Sequence, residues 1–200
     1  MTTVYNENVT GVILAGGKAR RMGGCDKGLV EINNKTMVGY VVDALQPQVK
    51  TILINANRNT EAYGQLGYEV ITDQLEDYQG PLAGMAAAMA HAKTEYIFTC
   101  PCDGPLLSRD LVAQLASSLQ NEDAEIAVAH DGKRLQPVYA LISCNLHSNL
   151  LEYLHSGERK IDRWYSQHRY KKVDLSSDPD CFININTPED QAQISAKLKY

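Results

Sequence analysis

The chain has 200 residues, of which 44% are hydrophobic and 22% charged, with a formal net charge of −5 at pH 7. This is ordinary globular usage and excludes disorder or coiled coil as a reading of the whole. The acidic balance argues against general binding to nucleic acid or an anionic membrane, where a basic excess supplies most of the attraction. No apolar stretch approaches the ~20 residues needed to span a bilayer. Met1 to Thr10 is polar, without a basic region followed by an apolar one, so the expected compartment is the cytoplasm. The cysteines (Cys25, Cys100, Cys102, Cys144 and Cys181) are odd in number and scattered, which suits reduced thiols better than a disulfide framework. Cys100-Pro101-Cys102 lacks the C-x-x-C spacing of a zinc site and reads as buried or strand-end thiols.

In chain order, short β-branched runs alternate with longer helical ones. Gly11–Leu14 reads as a buried strand, Met37–Leu45 as a helix, and Thr51–Ile54 and Tyr68–Ile71 as strands. An alanine- and methionine-rich helix covers Ala83–Ala92, followed by a strand at Tyr96–Thr99. Ser108 is the expected N-cap of a helix running to Leu119, and Ile126–Ala129 is the next strand. Further on, Pro137–Ile142 reads as a strand, Leu146–Leu154 as an amphipathic helix ending at Gly157, and Lys160–His168 as a charged helix. Lys172–Leu175 and Phe182–Ile185 are expected as short strands, and Pro188–Leu198 as a last helix with Thr187 as cap and Pro188 at its first position. Alternation of this kind predicts a single doubly wound three-layer α/β/α domain over residues 1–200, Rossmann-like and mostly parallel, with a small antiparallel extension. Residues 1–132 would form the nucleotide-binding half and 133–200 the acceptor-binding half.

Ligands of such sheets bind beyond the carboxyl ends of the strands, near the point where strand order reverses. Leu14–Lys27, Asn55–Arg58, Thr72–Asp73 and Cys100–Asp103 all follow predicted strands and are expected to converge. The segment Leu14-Ala-Gly-Gly-Lys-Ala-Arg-Arg-Met-Gly-Gly-Cys-Asp-Lys27 has the character of a phosphate cradle. Glycines let backbone N–H groups form an anion-binding nest, and Lys18, Arg20, Arg21 and Lys27 set cations against one acid, Asp26. It contains neither G-x-x-x-x-G-K-[ST] nor G-x-G-x-x-G. The alternative is a solvated basic turn, against which the glycine pairs and the preceding strand both weigh.

Asp103, delivered by an apolar strand, is the candidate metal ligand, because Mg²⁺ is usually held by one or two carboxylates plus water and substrate phosphate. Asp103-Gly104-Pro105 is also strong turn chemistry, so a capping role stays open. Gly80-Pro-Leu-Ala-Gly84 precedes the small-residue helix, where its backbone is placed to close over a base or ribose or simply to pack loop on helix. Asn55 and Asp73 are strand-end residues suited to turns, and Asp73 also to accepting hydrogen bonds from a base or ribose. The histidines are scattered, and none is assigned chemistry.

Taken together, these segments resemble the molybdenum cofactor guanylyltransferases, nucleotidyltransferases of the Rossmann-like glycosyltransferase A type. The resemblance covers nearly the whole chain and also takes in Gly157-Glu-Arg-Lys160 and Phe182-Ile-Asn-Ile-Asn-Thr-Pro188. The double glycine Gly16-Gly17 and the Arg-Met-Gly-Gly-x-Asp-Lys that follows favour the guanylyl branch over the sugar-phosphate and isoprenoid relatives. The resemblance implies transfer of GMP from GTP to the terminal phosphate of molybdopterin. Leu14, Ala15 and Gly16 would contact GTP through their backbones, Lys27 would bind its phosphates, Asn55 and Asp73 would lie at the nucleotide, and Asp103 would bind GTP and Mg²⁺. Arg20 and Arg21 join Lys27 in neutralising phosphates. Arg159, Lys160, Asn184 and Asn186 would meet molybdopterin or its molybdenum-loaded form. Molybdenum-insertion proteins and molybdoenzyme chaperones are the implied protein partners, and a monomer the expected state. Gly104 departs from the pattern, in which a hydroxyl residue often follows the aspartate. A cytidylyltransferase, a sugar-phosphate nucleotidyltransferase and a non-catalytic nucleotide-binding regulator are the competing readings; a dinucleotide-binding oxidoreductase lacks its G-x-G-x-x-G turn here.

Overall fold

Strand β1 (Val9–Leu14) is buried along its whole length, and the alternation of its side chains sends Val12 and Leu14 to one face of a sheet and Val9 and Ile13 to the other. A computed structural model of the chain describes residues 6–16, 26–74, 80–120, 124–185 and 187–198. The remaining sheet strands are β4 (Thr51–Asn55), β5 (Glu69–Ile71), β6 (Tyr96–Pro101), β7 (Ile126–His130), β8 (Leu135–Ser143) and β9 (Tyr170–Asp174), with the hairpin strands β2 (Glu31–Ile32) and β3 (Lys35–Thr36) set apart. The seven-stranded sheet has the order β5-β4-β1-β6-β8-β7-β9. Every strand of it except β8 runs in the same direction.

The two faces carry separate apolar layers. Helices α1 (Met37–Leu45) and α4 (Leu111–Gln120) cover one, placing Val38, Val41, Leu45, Leu111 and Leu115 against Ile13, Ile54 and Phe98. Helices α3 (Pro81–His91), α5 (His147–His155) and α6 (Ile161–Tyr165) cover the other, where Met85, Leu150 and Trp164 meet Val12, Leu53 and Ile142. The short helix α2 (Thr60–Gly64) lies between β4 and β5. A third small cluster joins Ile32 and Met37, near the β2–β3 hairpin, to Ile185 and to Ile194 of the last helix, α7 (Pro188–Lys197). Among the described residues no helix is long and apolar enough to cross a membrane.

The doubly wound, mostly parallel sheet expected from the alternation is therefore present. Thr36 caps α1 by accepting from the Gly39 N–H, and Thr187 forms a capping box with Asp190. Two expectations are corrected. Phe182–Ile185 is not a strand: Pro179–Phe182 turns as a 3-10 helix, Ile183 N–H bonds back to the Asp180 carbonyl, and Ile185 N–H reaches the Asp103 carbonyl at 3.0 Å, with no strand ladder. Ser108 does not cap α4, because its hydroxyl donates to Asp110 at 2.6 Å. The cap comes from a distant residue instead. Gln48 is 5% exposed; its Oε1 accepts from the Val112 N–H at 3.0 Å while its Nε2 donates to the Ala44 and Ser108 carbonyls. No local pattern around residue 108 encodes that partner.

Removing the Gln48 amide would strand a buried N–H and two carbonyls. Gln48→Ala is expected to cost about 1–3 kcal/mol of stability, read from the urea midpoint with an unchanged denaturant slope; a loss below about 0.5 kcal/mol would show that the amide is not the cap.

Candidate functional site

The register of the sheet aligns the strand ends. Leu14 lies beside both Asn55 of β4 and Pro101 of β6, and the alignment continues past the strands: Ala15 N–H donates to the Asn55 carbonyl at 2.8 Å and Cys102 N–H to the Leu14 carbonyl at 3.2 Å. Strand order reverses at β1, since the chain moves outward to β4 and β5 and then returns to β6 on its other side. The connections leave in opposite directions there and open a crevice. A cavity of about 430 Å³ occupies it, walled by Leu14, Ala15, Gly16, Lys27, Asn55, Asp73 and Asp103, among others.

Every nucleotide-site residue expected from the sequence that lies within the described residues thus lines one cavity. Lys27, at the start of the 3-10 helix Lys27–Leu29, places Nζ 3.3 Å from Asp103 Oδ2, the two side chains being 26% and 14% exposed. A lysine and a carboxylate so paired hold one another at a cavity wall without full burial of either charge. Asp103 also stands in the turn its sequence suggested, with its carbonyl accepting from Ile185. Among the described residues no group of three or more His, Cys, Asp or Glu side chains is arranged to hold a metal. The oxygen donor of Asp103 suits a hard cation that brings most of its ligands with it as water and phosphate, which is the habit of Mg²⁺. The neighbouring thiol is no competitor: burial, reinforced by the charges of Asp103 and Asp26, pushes the Cys102 pKa up and keeps it protonated.

The opposite wall is a polar clamp. Asn55, 3% exposed, donates to Asp73 Oδ1 at 2.9 Å; Asn57 donates to Asp73 Oδ2 at 2.7 Å and accepts from the Asp73 N–H at 2.8 Å. Asp73 is thereby fixed in rotamer with lone pairs to spare. Asn57 was not singled out from the sequence, although its spacing of two from Asn55 was the available signal. Arg58 and Asp26 also line the cavity. The N-terminus of α3 reaches it through Gly80 and Pro81. Gly80 adopts φ 80°, ψ −170°, a conformation open to glycine and strained for other residues. Gly84, one turn on, is small because a Cβ there would collide with Asn55 Oδ1 and stand 2.8 Å from Leu14 Cδ2.

The described residues expected to meet the acceptor do not line the cavity, and they differ in how near they come to Asp103. Asn184 comes to the edge of the Asp103–Gly104 turn, where its Oδ1 accepts from the Tyr139 hydroxyl at 3.4 Å. That hydroxyl also fills the space a side chain at Gly104 would need, which accounts for a glycine at this position. Arg159 donates to the carbonyls of Leu154 and Glu158 at the end of α5, and Lys160 is the exposed residue ahead of α6; neither lines the cavity. Arg20, Arg21 and Asn186 lie outside the described residues.

Residues 11–173 match the MobA-like NTP transferase domain. The chain belongs to that family. A molybdenum cofactor guanylyltransferase of Shewanella piezotolerans is 53% identical over 190 residues, 95% of this chain and 93% of its own length. One from Shewanella halifaxensis is 53% identical with 95% of each chain covered. Among solved structures, the molybdopterin-guanine dinucleotide biosynthesis protein A of Archaeoglobus fulgidus superposes with a TM-score of 0.77 at 20% identity, covering 94% of this chain and all of that one. A 4-diphosphocytidyl-2C-methyl-D-erythritol synthase of Anaerococcus prevotii superposes with a TM-score of 0.72 at 13% identity, covering 98% and 100%, a likeness of fold. As a MobA-like NTP transferase, the chain is a nucleotidyltransferase, and its cavity lies where the fold class places a ligand.

Gly84→Ala should force α3 away from Asn55 and Leu14. The expected result is a stability loss of about 1–3 kcal/mol together with weaker nucleoside triphosphate binding in calorimetric titration; unchanged binding would mean that the seat of α3 does not shape the cavity.

Proposed function

We propose that this chain transfers GMP from GTP to the terminal phosphate of molybdopterin, forming molybdopterin guanine dinucleotide and pyrophosphate. The observation that carries the choice of substrates is the identity of about half the residues, over nearly the full chain, to proteins named molybdenum cofactor guanylyltransferase. What the cavity contributes is a chemistry that fits such a transfer.

In the reaction, a terminal phosphate oxygen of molybdopterin attacks the α-phosphorus of GTP, the bond to the bridging oxygen of the β-phosphate breaks, and pyrophosphate leaves with that electron pair. The nucleophile is ionised near neutral pH, so no general base is needed. The obstacles are the approach of two anions and the charge gathering on the leaving group, which make the catalysis mostly positioning and electrostatics. Lys27 would exchange its Asp103 partner for the triphosphate and offset its charge, with Arg20 and Arg21 assigned the same task. The backbones of Leu14, Ala15 and Gly16 and the Asn55–Asp73 clamp would hold the nucleoside end. Asp103 would hold Mg²⁺ together with the triphosphate, and that ion, when bound, supplies electrostatic polarisation of the phosphate oxygens. We assign the acceptor to residues 133–200, of which Val138 reaches the cavity, with Asn184, beside the Asp103–Gly104 turn, nearest the reacting end and Arg159, Lys160 and Asn186 as its further contacts.

Pyrophosphate release from GTP, followed with and without molybdopterin in the presence of magnesium, tests the reading directly. Release from CTP but not GTP would replace guanylyl by cytidylyl transfer. Asp103→Ala is expected to lower kcat by at least about a hundredfold, the scale of losing one electrostatic stabiliser, with the melting temperature preserved; near-normal turnover would remove Asp103 from the metal role. Lys27→Ala should raise KM for GTP, lower kcat, or both, and wild-type nucleotide kinetics would exclude it from the site.

A further inference from the structure

Resting on the assignment of Lys27 to the triphosphate, we infer that Tyr63 is a positioning residue for Lys27, acting through the carboxylate of Asp26. Tyr63 is fully buried on α2, within the apolar layer beneath α1. Its hydroxyl donates to Asp26 Oδ1 at 2.6 Å. Asn59, just ahead of α2 and in the left-handed conformation at φ 51°, donates Nδ2 to the other oxygen, Asp26 Oδ2, at 3.2 Å. Asp26 itself lines the cavity, adjacent in sequence to Lys27.

The clasp is completed on the far side of Lys27. A Cβ at Gly28 would stand 2.5 Å from the Tyr63 hydroxyl and 3.1 Å from Cys102 Sγ, so the backbone of the 3-10 helix presses against the phenol and against the residue preceding Asp103. Lys27 is thus held from both neighbours, and its ammonium is delivered to Asp103 at 3.3 Å. Lysine has a long flexible stem and loses substantial rotamer freedom when it is pinned, so a fixed backbone origin concentrates its ammonium where a phosphate must be met. The arrangement also disposes of a charge problem. A carboxylate at the wall of a polyanion site opposes its ligand; here both Asp26 oxygens are engaged by neutral donors, which disperses that charge and keeps Asp26 from capturing Lys27 in place of the phosphate.

Tyr63→Phe retains the buried ring and removes only the donor. It is expected to raise KM for the triphosphate by roughly tenfold, since a hydrogen bond to a charged group is lost, while kcat changes less than about twofold. In a Lys27→Ala background the same change should have almost no further effect, because residues acting through one group are non-additive. Asn59→Gly keeps the left-handed backbone at that position, removes the donor to the other Asp26 oxygen, and should raise KM in the same direction even if Tyr63→Phe folds poorly. Wild-type KM in the Asn59→Gly and Tyr63→Phe variants, or a full multiplicative effect of either on top of Lys27→Ala, would overturn the inference. The kinetics are run with whichever triphosphate the wild type turns over, so a preference for CTP would overturn the guanylyl reading and leave the Tyr63 comparison intact.

Discussion

The parallel pairing of β1 between β4 and β6 is the constraint on which the site depends. Because Leu14 is level with both Asn55 and Pro101, the chain leaves the sheet from adjacent strands at one height, and the bonds from Ala15 to Asn55 and from Cys102 to Leu14 carry that registry beyond the last paired residues. A slip of one residue would turn Val12 and Leu14 into the opposite apolar layer, and both layers are filled, so packing holds the register. Lys27, Asn55, Asp73 and Asp103 come from segments far apart in sequence, and this alignment gathers them around one cavity.

The cavity walls then differ in kind. One side is electrostatic, with the Lys27–Asp103 pair at its edge. The other is a hydrogen-bonding surface in which Asn55 and Asn57 hold Asp73 rigidly enough to distinguish one ligand pattern from another. Such a division suits a nucleoside triphosphate, whose polyphosphate needs charge and whose base needs geometry. Small residues make the close approach possible. Gly84 lets α3 seat directly on Asn55, and Gly104 gives room to the Tyr139 hydroxyl, which in turn contacts Asn184. Through that contact and the bond from Ile185 to the Asp103 carbonyl, the segment carrying Asn184 and Ile185 is tied to the turn that carries Asp103.

Much of this was legible in the sequence. The apolar runs at Gly11–Leu14, Thr51–Ile54 and Tyr96–Thr99, which lie inside the longer observed strands, have β-branched content, and burial on both faces forbids the alternation with polar residues that would have obscured them. The order of strands and helices limited the topology to a parallel sheet with ligand-binding loops at one edge. The glycine- and lysine-bearing segment after the first strand could be read as a phosphate cradle and Asp103 as a metal ligand or a turn residue, while the nucleotide roles of Leu14–Gly16, Asn55 and Asp73 came from the family resemblance. Phe182–Ile185 misled because a short apolar run looks alike whether it pairs as a strand or packs as an extended segment against Asp103.

By itself, then, the sequence determined the class of fold, the sheet edge where a ligand cavity opens and the residue types available to it, all of which follow from local periodicity and spacing. Only the tertiary structure decided which groups meet. Gln48 caps α4 across a separation of 64 residues, Tyr63 holds Asp26 across 37, and Asn57 rather than a backbone turn fixes Asp73. The reason is physical: a buried N–H or carboxylate must find a partner wherever the packed layers bring one within hydrogen-bond reach, and that location depends on the folding of the whole sheet rather than on the residues beside it.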